Sequence, residues 1–235
     1  MDDTAYNTVD YMVIVAHPDD AEFGCAGSVA GWVKDNKRVV YVICTSGDKG
    51  SSDPEVLPKE LAQKREEEQI QAASVVGVEQ TVFLGYPDQG LEDTAQFRKD
   101  IVRQMRIYRP RVVVTMDPYR KYIWHRDHRI CGQVTLDAVY PFVRDPLAYP
   151  DLMNEGIHPH KVSEIWFFGT EDINIQIDIT EDFDKKIEAL YCHVCQMESM
   201  GREKVRAWVR KKCEDMARGT DFQYAEGFHR VIIPS

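Results

Sequence analysis

Two short stretches of this chain carry residue types suited to metal-assisted hydrolysis: His17-Pro18-Asp19-Asp20 and His125-Arg126-Asp127-His128. Imidazole nitrogens and carboxylate oxygens ligate divalent cations, and a carboxylate left outside the coordination sphere can take a proton from water. His17 and Asp20 stand three residues apart across an expected turn, so both could reach one ion. With one of His125 or His128 they would give two nitrogens and one oxygen, leaving a position open as in a catalytic zinc site. Asp19, between them, would be free to face a water.

Each residue alone has a plain structural explanation. His17 could be a satisfied strand-end histidine, Asp19 and Asp20 could be acids favoured by a helix dipole, and His125 with His128 could be a surface pair. Their position argues otherwise, because each cluster follows an expected strand. The run Tyr11–Val15 is short, apolar and β-branched, and Pro18 suits the first turn of a helix. Arg111–Met116 leads in the same way to the second cluster. Open α/β sheets bind ligands at the carboxyl ends of such strands.

The elements that must position these residues alternate. Strands are expected at 11–15, 38–45, 81–84 and 111–116, with helices at 23–34, 59–76 and 97–108 between them, the pattern of right-handed βαβ units. A helix follows at 129–140, then an irregular stretch at 141–160 that could form a lid or an oligomer contact. Strands at 164–169 and 173–179, helices at 183–197 and 201–217, and a last strand at 226–233 complete the chain. The second of these strands alternates apolar and polar residues, as an edge or half-exposed antiparallel strand does. On the 59–76 helix, Leu61, Ile70 and Ala73 are available for burial, and Arg65 with Glu66, Glu67 and Glu68 reads as a solvated face. The fold class is α/β: a Rossmann-like, mostly parallel sheet with helices on both faces, extended by C-terminal strands. Residues 1–235 read as a single domain.

Composition narrows the function. Of 235 residues 43% are hydrophobic, enough for a sizeable core, and 29 basic against 39 acidic residues give a formal charge of −10. Such an acidic chain is not expected to bind nucleic acid. Gly24 and Gly27 do not complete a dinucleotide fingerprint, and the acids of the first cluster would repel a pyrophosphate. Met1-Asp2-Asp3-Thr4 lacks the basic start of a signal peptide, and no apolar run reaches the length of a membrane span. The six cysteines are scattered, and Cys192-x-x-Cys195 stands without a second pair, so neither a disulfide framework nor a zinc knuckle is expected. A cytoplasmic protein is the expectation.

Ala16-His17-Pro18-Asp19-Asp20 together with His125-Arg126-Asp127-His128 resembles the LmbE/PIG-L family of zinc-dependent N-deacetylases. Arg65 through Glu68 to Gly77-Val78 is similar to the family's Arg-x-x-Glu helix, Leu84–Asp88 to its third-strand loop, and His193–Gln196 to its His-x-Ser-Gln helix. The resemblance implies zinc (or Fe2+) held by His17, Asp20 and His128, with Asp19 as general base. His125 would stabilise the oxyanion or assist the leaving amine. Arg65 and Asp88 match positions that hold the sugar, and Trp124 and His193 are expected beside the substrate. The implied partner is a small N-acylated amino sugar or conjugate, and such proteins often assemble as trimers or hexamers. Ala21 departs from the family's common glutamate, which Glu22 would replace, and Cys195 stands for a serine. The alternatives are an amidase acting on a non-sugar amide or thiol conjugate, and a non-catalytic binding module of the same fold.

Overall fold

A computed structural model describes residues 8–234; Met1–Thr4, on which the expectation about a signal peptide falls, lie outside the described residues. Five largely apolar segments, rich in β-branched or aromatic residues, form parallel strands: β1 (Tyr11–Val15), β2 (Val39–Thr45), β3 (Gln80–Tyr86), β4 (Val112–Met116) and β5 (Glu164–Phe168). Two antiparallel strands, β6 (Ile175–Asp178) and β7 (Ala225–Ile232), extend the sheet. The order is β3-β2-β1-β4-β5-β7-β6. β6 is therefore the antiparallel edge its alternating pattern predicts.

The connecting helices are α1 (Asp20–Lys34), α2 (Pro58–Val76), α3 (Ala95–Tyr108) and α4 (Arg126–Asp137), followed by α5 (Pro150–Asn154), α6 (Phe183–Tyr191), α7 (Val194–Met200) and α8 (Arg202–Met216). α1, α2 and α6 pack together, whereas α3 and α4 pack with each other. Right-handed crossovers require this division, since the strand order runs outward from β1 in both directions. The reversal lies between β1 and β4, paired in register at Tyr11↔Val112. The crevice of a doubly wound sheet opens there. α1 sits close to the sheet because it carries glycines: a Cβ on Gly24 would meet the Phe168 ring at 2.7 Å, and one on Gly27 would meet Ile179 at 2.8 Å.

Several expectations change. α4 begins at Arg126 rather than residue 129, because the His125 side chain caps it, accepting the Asp127 N–H at 3.2 Å. The helix expected over 183–197 breaks at Cys192–His193, where the buried His193 ring turns inward to Glu22 at 3.0 Å. Ile70 is 54% exposed, while Arg65, Glu68 and Gln69 are buried. The charged stripe of α2 thus faces the interior, and of Glu66, Glu67 and Glu68 only Glu67 is exposed. The 141–160 stretch is anchored: Arg106, 1% exposed, donates to the carbonyls of Phe142, Val143, Asp145 and Ala148. All six cysteines are free. No helix among the described residues is long and apolar enough to cross a membrane.

Candidate metal centre

The turn after β1 and the start of α4 meet at the sheet's switch point. There His17 Nδ1 lies 3.2 Å from His128 Nε2 and 3.3 Å from Asp20 Oδ2, and His128 Nε2 lies 3.1 Å from Asp20 Oδ1. Donor atoms about 2.0–2.2 Å from one tetrahedral centre stand roughly 3.3–3.6 Å apart, so these three residues fit around a single ion. Asp20 also accepts the His17 N–H at 2.8 Å, which ties the two candidate ligands together.

The partners of His17 fix its tautomer. Its Nε2 faces two carboxylates, Asp88 Oδ1 at 3.1 Å and Asp127 Oδ2 at 3.3 Å, so Nε2 carries the proton and Nδ1 keeps the lone pair. A histidine that donates one nitrogen to a carboxylate and presents the other to a cation is the usual second layer of a metal site. Asp127, fully buried, also accepts the N–H groups of Gln89 at 2.7 Å and Leu91 at 3.2 Å, which joins the loop after β3 to the site. Sequence reading assigned Asp127 no role, although its place between two histidines at a helix start was a usable signal. Asp127→Asn should weaken divalent-metal binding about 10- to 100-fold. An unchanged affinity in a chelator-competition titration would remove it from this role.

Two overlapping sets of donors each gather within 4.8 Å: His17 with His125 and His128, and His17 with Asp88 and Asp127. In the second set both carboxylates lie against the protonated nitrogen of His17, so they orient its ring. In the first set, His125 spends Nδ1 on the α4 cap, leaving Nε2–H as a donor toward the crevice.

The charges agree with a cation at the centre. Burial opposes the charged form of His17, yet hydrogen bonds to Asp127, Asp20 and Asp88 outweigh it and push its pKa up to about 12. Burial would raise Asp20, but His128 and His17 hold it well below the carboxylate range. His128 is raised despite burial, by Asp20. The cluster favours positive charge at its middle, which a metal can supply in place of protons. His125 moves the other way, lowered by burial and then by His17 and His128, so its ring is neutral.

Asp19 stands beside this cluster with a left-handed backbone, φ 94° and ψ −24°. Such a conformation costs a non-glycine residue about 1–2 kcal/mol, so neighbours must hold it. Arg65 donates to Pro18 O at 2.7 Å, to Gly47 O at 3.0 Å and to Asp19 Oδ2 at 3.2 Å. The loop after β2 makes room for this guanidinium, since a Cβ on Gly47 would come within 2.3 Å of it. Burial raises Asp19 to about pKa 6, against the pull of Arg65. That value suits a general base working near neutrality.

The residues expected beside a substrate divide. Arg65 and Asp88, each 4% exposed, border the cluster and already grip Asp19 and His17. His193 has no exposed surface; its Nε2 is held by Glu22, so it supports neighbours rather than touching a substrate. Glu22 is fully buried as well, accepting from Gln69 Nε2 at 3.0 Å. Trp124 is 96% exposed on the rim of a cleft of about 700 Å³, which His128, Phe23 and Trp208 also line. A smaller pocket of about 250 Å³ reaches Asp20 and His128 directly, with Arg120 and Lys212 in its wall.

Residues 12–139 match the family model described as PIG-L, GlcNAc-PI de-N-acetylase. The chain is 31% identical to a diacetylchitobiose deacetylase of Thermococcus kodakarensis, over 94% of its own length and 82% of that protein's. It is 30% identical to a probable N-acetyl-alpha-D-glucosaminyl L-malate deacetylase 2 of Bacillus subtilis, over 82% of this chain and 85% of the other. The structure superposes on the N,N'-diacetylchitobiose deacetylase of Pyrococcus horikoshii with a TM-score of 0.91 and 27% identity, covering 98% of this chain and 86% of that one.

Proposed function

This chain belongs to the PIG-L family, and on that basis we propose that it is a hydrolase removing the acetyl group from the amide nitrogen of an N-acetylglucosamine-containing small molecule. The observation that carries the reading is the convergence of His17 Nδ1, His128 Nε2 and the Asp20 carboxylate within 3.1–3.3 Å, with Asp19 beside them. We assign the metal to these three residues and take zinc as its identity, with Fe2+ as the other ion the donor set accepts.

A bound divalent metal supplies a Lewis acid for the amide carbonyl and acidifies water. The protein does the rest. Asp19 takes a proton from the attacking water and returns it to the departing nitrogen, so the amide C–N bond breaks to give acetate and a free amine. Neutral His125 donates Nε2–H toward the oxygen that gains charge in the tetrahedral state, without having to be protonated itself. Asp127 keeps the His17 lone pair on the metal side. We assign Arg65 and Asp88 to the sugar as well, because Arg65 borders the base from α2 and Asp88 borders His17 from the loop after β3, and Trp124 to the outer rim of the substrate cleft. Residues 1–235 are taken as a single catalytic domain, which the continuous seven-stranded sheet supports. The six free thiols fit a reducing cytoplasm. Assembly into a trimer or hexamer belongs to the same reading, with apolar surface available at Tyr122 and Leu147.

The test is metal content on untagged protein together with release of acetate from N,N'-diacetylchitobiose and N-acetylglucosamine. About one zinc or iron per chain, absent from His17→Ala, and acetate release that stops on chelation are expected. A chain that takes up no metal after reconstitution, or that releases no acetate from any N-acetylated sugar when loaded, would overturn the reading.

A further inference from the structure

We propose that Gln69 is a positioning residue for the general base, holding the Asp19 backbone in its left-handed conformation through a buried bridge to Glu22. The inference rests on the role assigned to Asp19 above. Gln69 has no exposed surface. Its Oε1 accepts the Asp19 N–H at 3.0 Å, and its Nε2 donates to Glu22 Oε1 at 3.0 Å. These partners dictate how the amide is oriented, since a backbone N–H only donates and a carboxylate only accepts. Glu22 is fixed in turn by His193 Nε2 at 3.0 Å.

Gln69 lies one turn beyond Arg65, on the same face of α2. Arg65 holds the Pro18 carbonyl and the Asp19 carboxylate, while Gln69 holds the Asp19 amide. The two side chains thus grip the residue from both sides of its strained φ of 94°. Without the amide contact, Asp19 can relax toward an ordinary helical start, because Phe23 N–H already bonds the Asp19 carbonyl at 3.0 Å and needs no positive φ. Relaxation would carry the carboxylate off line, and a misplacement of about 1 Å is worth on the order of a hundredfold in rate.

The experiment uses the metal-loaded full chain in three forms: Gln69→Leu, Gln69→Glu, and the exchange Gln69→Glu with Glu22→Gln. Gln69→Leu keeps the volume and loses both bonds; kcat on N,N'-diacetylchitobiose should fall about 10- to 100-fold, with KM and metal content unchanged. Gln69→Glu sets two buried carboxylates 3.0 Å apart and should be similarly slow. The exchange rebuilds the bridge with the amide on the other side and should recover kcat to within a few-fold. A merely structural residue would lower stability but leave kcat per metal-loaded chain unchanged in all three forms. Equal kcat in Gln69→Leu and the parent, or no recovery in the exchange, overturns the proposal. A crystal structure of Gln69→Leu gives a readout independent of turnover: Asp19 should leave its positive φ, and an unmoved Asp19 overturns the proposal. If the parent deacetylates nothing, the functional reading fails, and the position of Asp19 in that variant still decides the clamp.

Discussion

Asp19→Asn should lower kcat by about 10²- to 10⁴-fold while leaving metal content and folding intact. The range is that of removing a positioned general acid–base group. Asparagine matches aspartate in size and can still accept from Arg65, so the lost property is the capacity to take a proton. Asp19 is not among the three donors that face the ion position, which is why the metal should stay. Its carboxylate is suited to proton transfer, because burial raises it to about pKa 6 while Arg65 restrains the rise and keeps a basic form available near neutrality. The check is turnover per metal-loaded chain on N,N'-diacetylchitobiose. Wild-type turnover would exclude Asp19 as the base, and loss of metal in parallel with activity would place it among the ligands.

Lys186→Met should destabilise the fold by about 3–5 kcal/mol, on the order of 10 °C in Tm for a chain of this size. Lys186 is 1% exposed on α6, and its ammonium donates to Glu226 Oε1 at 2.6 Å, Glu22 O at 2.7 Å and Phe23 O at 3.1 Å. Glu226 on β7 accepts the Gly27 and Ser28 N–H groups at 3.1 and 2.7 Å. The pair therefore locks α1, α6 and β7 into one unit behind the crevice. Methionine fills the space but leaves a carboxylate buried without its counter-charge, and that penalty exceeds the worth of the pair itself. Burial opposes the charge on Lys186, but Glu226 outweighs it and raises the pKa. A raised lysine contributes fully below its unfolded value of about 10.4 and loses the contribution only as pH climbs through the folded value. The deficit of Lys186→Met should thus be constant from about pH 6 to about pH 9. Denaturant unfolding measures it, and Lys186→Met combined with Glu226→Gln should recover part of the loss. A single variant within about 1 kcal/mol of the parent would show that Glu226 finds other partners.

The local features were legible in the sequence because their causes are local. Periodicity set the strands and helices, Pro18 marked the turn after β1, and His17, Asp20 and the His125–His128 pair showed their donor types at ligand spacing. Alternation of strand and helix implied the parallel sheet, and the order of the motifs carried the family. What burial would do to polar residues was not legible. Gln69 follows acids that read as a solvated face, and nothing in the spacing of Lys186 or Arg106 separates them from exposed residues of the same type; all three are buried. Each is buried because its partner lies far away in the chain: Asp19 is 50 residues from Gln69, Glu226 is 40 from Lys186, and Val143 is 37 from Arg106. A local pattern cannot report such partners. His193 likewise reads as mid-helix and instead ends the helix, since its bond to Glu22 spans 171 residues. Residue types and their spacing were enough to say which groups could do the chemistry. The folded sheet, which brings the ends of β1 and β4 together at its switch point, was needed to show which nitrogens and which carboxylate converge, which carboxylates hold the far side of His17, and which one is left beside them without a place in that convergence.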